Sequence, residues 1–174
     1  FRAYLNYVER HYLNVQAAWK LVNHCCKGKG LRFMYDDFYW QTINSHVKNH
    51  DESKLSAGEF TQYRQWFFPT EDEEKDRAKF NAGWEHHKAN NPHHWQNWTR
   101  EVTDAHLQEC YLVEMVCDWI AMSFEFGDTA QDYYEKNKAE IDLEAHDERL
   151  VLDIFACIYP QGEPSDNGGR LKET

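Results

Sequence analysis

The stretch from Ser45 to Glu59, SHVKNHDESKLSAGE, gathers residue types that bind metals and move protons. His46 and His50 stand one helical turn apart, Asp51 follows His50 directly, and Lys54 comes three residues later. An imidazole and a carboxylate at a helix end can converge on one point. That donor mixture suits a divalent ion with nitrogen and oxygen ligands, and a lysine beside it adds a positive charge. A lone His-Asp pair is more often a hydrated helix terminus, so its weight depends on what else the chain brings near it.

Two other stretches add to it. The run WEHHKANNPHHW from Trp84 to Trp95 holds four histidines in nine residues, with a further tryptophan at Trp98. So many imidazoles would repel one another if protonated and add little to a core, which favours a metal or anion pocket over a surface loop. Phe80, Trp84 and His87 follow helical spacing, which puts His87 on an apolar stripe and His86 nearer its edge. Past the Asn90-Asn91-Pro92 turn the chain can return, and His94 is the better candidate of the second pair. Glu114 and Asp118 stand four apart among Val113, Val116, Cys117 and Trp119. A carboxylate buried there without a partner costs several kcal/mol, so each needs one: an Arg or Lys for Glu114, a metal or histidine for Asp118.

The elements that must carry these residues read as helices. Tyr4, Leu5, Val8, Tyr12, Val15, Ala18, Trp19 and Val22 recur at helical spacing from Arg2 to about Cys26, where CKGKG makes a C-terminal turn. A second helix from about Asp36 runs into His50-Asp51. Ser56-x-x-Glu59 has capping-box spacing and predicts a third from about Ala57 to Phe67, stopping before Pro69. The acidic run Glu71 to Asp76 reads as the first turns of a fourth, continuing to about Asn90. Another long helix spans about Thr103 to Phe126, and two more cover Ala130 to Lys138 and Asp142 to Tyr159. The expectation is an all-α, single-domain bundle of six to seven helices over residues 1–159, with a low-apolar, turn-rich disordered tail over 160–174.

Length and charge bound the function. A chain of 174 residues buries about two-thirds of its unfolded surface and needs neither disulfides nor a structural metal to fold. A formal net charge of −11 disfavours long nucleic acid and anionic membranes as partners, while a small anion held through a metal stays open. Five cysteines without a CxxC, in or beside apolar segments, read as reduced core thiols in a cytoplasmic setting. No apolar run approaches the ~18 residues of a membrane span.

The order His11 (ERHYLNVQAAW), then His50-Asp51 with Lys54 (HDESK), then Asp118 (EMVCDWIAMS) resembles the H…HD…D signature of the HD-domain metal-dependent phosphohydrolases. The resemblance implies an all-helical HD-like fold in which His11, His50, Asp51 and Asp118 bind one divalent metal. Members with a second metal add histidines from between the HD pair and the last Asp, and Glu85 to His94 lies in that interval. The phrases YRQWFFP and WEHHKANNPHHW also resemble the DUF5662 group of small phage and bacterial proteins, over most of residues 40 to 135. His46 departs from the HD pattern, where an apolar residue is usual, and the two His-His pairs leave the extra ligands open, with His87 and His94 favoured.

The chemistry implied by this resemblance uses one or two ions of Mn, Fe, Co, Ni or Zn in an open His/carboxylate site. A metal-activated water would hydrolyse a small phosphorylated metabolite, most simply a nucleotide. Asp51, Lys54 and His87 are the expected catalytic groups, with Lys54 and His87 as cations or proton donors. Trp84, Trp95 and Trp98 could stack a base. On this reading Asp51→Ala removes metal and activity with the helices intact. Two rivals stand beside it: a di-iron oxygenase on the same scaffold, using His87 and His94, and a non-catalytic phage interaction protein with a structural metal.

Overall fold

A computed structural model describes residues 1–98 and 104–160; the expected tail beyond Pro160 and the start of the long helix at Thr103 lie outside the described residues. Among those described, seven α-helices and three short 3-10 turns make up the regular structure: α1 (Arg2–Cys26), α2 (Asp37–Lys48), α3 (Phe60–Phe67), α4 (Arg77–Asn90), α5 (Ala105–Phe126), α6 (Ala130–Asn137) and α7 (Ala145–Ile158). The fold is all-α, as the helical periodicities predict. Among the described residues no helix is long and apolar enough to cross a membrane.

The core forms around α5. Leu112 through Cys117 and Trp119 through Ala121 are buried in an unbroken run apart from Asp118, so this helix is covered on all sides rather than along one stripe. Its main partner is α1, with α2 and α7 covering the flanks. On α1 the buried set is Tyr4, His11, Val15, Ala18, Trp19, Val22 and Cys26. His11 therefore occupies a position of the apolar stripe, one where the core would otherwise take a hydrophobe. Asp36 caps α2 by accepting from the Phe38 N–H, and Asp104 caps α5 by accepting from His106 and Leu107.

α3 and α4 form a second pair, brought close at Gly83, where a Cβ would lie 2.9 Å from the Cβ of Gln62. Here two sequence expectations give way. α3 begins at Phe60 and not near Ala57, and Ser56 caps nothing: the Glu59 carboxylate turns inward to two histidines instead of back to the chain. The acidic run precedes α4 rather than forming its first turns. Asp76 caps the helix by accepting from the Lys79 N–H, and Glu73 pairs with Arg64 of α3. The other boundaries differ from the sequence reading by a few residues, as helix ends do.

Candidate metal centre

α2 ends at Lys48, and the chain turns through Asn49 and His50 to Asp51, whose φ of 58° is the one left-handed value outside glycine among the described residues. Asp tolerates that conformation better than most side chains, yet it still costs on the order of 1 kcal/mol, and such strain is typical of functional turns. Its effect is to aim both carboxylate oxygens into the protein. A 3-10 turn, Glu52–Leu55, comes next; it buries Lys54 and is held from α1 by the Tyr4 hydroxyl, which donates to the Lys54 carbonyl at 3.1 Å.

The two oxygens of Asp51 face two separate donor sets. Oδ2 lies 3.3 Å from His11 Nε2, 3.2 Å from His50 Nε2 and 2.6 Å from Lys54 Nζ. Asp118 Oδ1 completes this first set at 3.2 Å from His11 Nε2 and 3.7 Å from His50 Nε2. Oδ1 of Asp51 lies 3.3 Å from His87 Nε2 and 3.5 Å from His93 Nε2, and His94 offers a further nitrogen, so that Asp51, His87, His93 and His94 form the second set within 4.8 Å. Donors around one ion at about 2.0–2.3 Å stand roughly 2.9–3.7 Å apart. The histidine–carboxylate separations in the first set fall in that range.

The residues fit a metal on a further ground. His11 Nε2, His50 Nε2, Asp118 Oδ1, Asp51 Oδ1, His93 Nε2 and His94 Nε2 are buried and have no hydrogen-bond partner. Buried polar atoms are nearly always satisfied, so six unsatisfied ones facing two points call for a shared partner. The opposite ring nitrogens of His50, His93 and His87 face carboxylates, while His11 Nδ1 has no partner. Glu114 accepts from His50 Nδ1 at 2.9 Å and lies 3.3 Å from His93 Nδ1, and Glu59 accepts from His87 Nδ1 at 2.8 Å. A carboxylate on Nδ1 fixes the tautomer and orients Nε2 toward an ion. The two outer histidines close each pair: His46 Nδ1 lies 3.5 Å from the other oxygen of Glu114, and His86 Nδ1 lies 2.8 Å from the other oxygen of Glu59. His86 fits only because residue 58 is glycine; a Cβ there would stand 2.6 Å from its Nε2.

The electrostatics agree with this geometry. Burial by itself would raise Asp51 and Asp118, but His50, Lys54 and His87 around the first, and His11 and His50 around the second, hold both well below the usual carboxylate range. Burial likewise works against Glu114, which His93 and His50 bring down to about 2. His50, opposed by burial but set among Asp51, Asp118 and Glu114, is raised well above the ordinary histidine value. Burial and the neighbouring His93 and His87 push His94 down to about 2, leaving a neutral imidazole able to ligate.

The structure thus brings together His11, His50, Asp51, Asp118, His87 and His94, with Lys54 beside them. It corrects the expectation for Glu114, whose partners are histidines and not Arg or Lys. Sequence reasoning passes over His93, which is more buried than His94 and faces both Asp51 and Glu114. The signal for it is Asn91, whose buried amide donates to the His87 carbonyl at 2.7 Å and to Ser53 Oγ at 2.6 Å, turning the chain so that both histidines face inward. Trp84 stacks on the His87 ring and Trp98 donates to the Pro92 carbonyl, so neither is a free platform on those sides.

This geometry ranks the histidines. His87→Ala and His93→Ala should each weaken metal binding about 10–100-fold by competition with a chelating dye, while His86→Ala, acting only through Glu59, should cost less. Equal losses for all three would contradict the arrangement.

A cavity of about 530 Å³ opens on this cluster, with His11, Asp51, Lys54, His87, His94 and Asp118 in its wall. The sequence profile of DUF5662, a family of unknown function, matches residues 1–159. No curated protein and no solved structure matches the chain.

Proposed function

The chain belongs to the DUF5662 family, and we propose that it is an HD-type metal-dependent phosphohydrolase acting on a small phosphorylated metabolite of the nucleotide class. The observation that supports this most is the meeting of unsatisfied donors from His11, His50 and Asp118 against the Asp51 carboxylate, in the order of the H…HD…D signature, beside a cavity large enough for such a substrate. The two-sided Asp51 favours a pair of ions, with His11, His50 and Asp118 on one side and His87, His93 and His94 on the other. Divalent ions held there would acidify a bound water and take up charge on phosphoryl oxygens.

The chain's own groups have distinct tasks on this reading. Asp51 sets the spacing of the two donor sets, and Glu59 and Glu114 keep the ring nitrogens aimed. His87 has one nitrogen on Glu59 and the other toward Asp51, so it serves as a ligand and the proton-donor role falls to Lys54. Lys54 is kept protonated chiefly by Asp51 against the effect of burial, and it reaches the cavity from beside the first donor set. A leaving oxygen there would receive its proton. The acidic chain as a whole disfavours long nucleic acid.

The test is elemental analysis of the purified protein, then a panel of phosphomonoesters, phosphodiesters and nucleoside triphosphates with Mn²⁺, Co²⁺ or Ni²⁺. Phosphate release that stops with a chelator and returns with metal is the expected result. A metal-loaded protein inert toward the whole panel would overturn the proposal. A second reading, oxygen chemistry at two irons, rests on the same two donor sets. Tightly held iron with visible absorption and substrate-dependent O₂ uptake would select it.

A further inference from the structure

The cavity has a polar end and an aromatic body. The candidate ligands and Lys54 lie at the first, while Phe67, Phe80, Trp84, Trp95, Trp119 and Tyr133 are among the side chains lining the rest. At its opening three large apolar side chains meet solvent: Phe126 is 74 % exposed, Phe67 49 % and Tyr133 44 %. Exposed aromatic surface continuous with a buried aromatic wall is covered at a gain by an apolar ligand part that removes it from water. Among the described lining residues Lys54 is the one Lys or Arg, and its ammonium already sits 2.6 Å from Asp51. Asp128 adds a carboxylate to the lining. A triphosphate chain would bring three or four negative charges into a wall with little to neutralise them beyond the ions themselves.

We propose that the substrate is a monophosphate ester whose alcohol part is a flat aromatic or apolar body, its single phosphoryl group at the Asp51–Lys54 end and its body along the aromatic wall toward Phe126. This rests on the hydrolase reading and narrows it: the site selects by the body of the ester and not by the length of a phosphate chain.

Phosphonates, in which a P–C bond replaces the scissile P–O bond, test this by binding without turnover. Calorimetry on the Mn²⁺-loaded protein would compare 1-naphthylmethylphosphonate, methylphosphonate and a methylene-bridged ATP analogue. The naphthyl compound should bind at least about tenfold more tightly than the methyl compound and more tightly than the ATP analogue. Phe126→Ala, at an exposed position outside the metal cluster, should reduce the naphthyl-to-methyl ratio about threefold or more with metal content unchanged. Equal binding of the two phosphonates, or tightest binding by the ATP analogue, would overturn the inference and leave the hydrolase reading standing. Failure of every phosphonate to bind the metal-loaded protein would overturn both.

Discussion

Asp51→Asn should abolish binding at both proposed ion positions, taking metal content to near zero and phosphate release with it. One carboxylate serves both donor sets: Oδ2 faces His11 and His50, and Oδ1 faces His87 and His93. An amide in its place offers one neutral oxygen, and its NH₂ would point at imidazole nitrogens on the other side. Asn is a better probe than Ala. It keeps the shape and tolerates the left-handed backbone at this position, whereas Ala would be strained there and would leave the Lys54 ammonium buried without its partner. Removing one member of a buried pair costs about 3–5 kcal/mol, so Asp51→Ala is expected to damage the fold as well as the site, contrary to the simpler expectation from sequence. Metal content, circular dichroism and thermal unfolding of the two variants separate these effects. Full metal content in Asp51→Asn would show that Asp51 bridges nothing.

The parts of this site that can be read from the sequence are those whose chemistry is local. His50-Asp51-Lys54 is contiguous, and the geometry that joins the three residues is a single turn. His87 can be placed because the stripe through Phe80 and Trp84 fixes which face of α4 it shares. His11 is different: the periodic residues around it, including Leu5 and Val8, describe a helix without marking a polar residue as buried, and Leu5 is in fact 45 % exposed. Only the family resemblance singles it out. Glu59 misleads because its spacing from Ser56 suits a local cap, and the competing attraction, two imidazoles on α4, is 27 and 28 residues away. Glu114 invites a cationic partner on the same general ground, that a buried charge needs its opposite. The protein meets that need with histidines from α2, the turn after it and the loop after α4, a solution that depends on tertiary approach and leaves no local spacing to detect.

Glu114→Gln should separate positioning from ligation. The carboxylate touches His50, His93 and His46 but lies behind the rings rather than between the donor atoms, so its removal leaves every proposed ligand in place. What is lost is the pull on two Nδ1 positions, one in each donor set, and metal affinity should fall about 10–100-fold for both ions. Turnover at saturating metal should recover much of its wild-type value, which a loss of ligands would not allow. The metal-free protein carries a second readout. Glu114 is held down to about 2, against an unfolded value near ~4.3, so its contribution to stability is full above the unfolded value and disappears as the pH falls toward the folded one. Chelator-treated wild-type protein should therefore lose stability between about pH 5 and 2, and Glu114→Gln should start less stable and show a shallower acid limb over that range. An unchanged acid limb together with unchanged metal affinity would show that the contacts of Glu114 with His50 and His93 carry no energy.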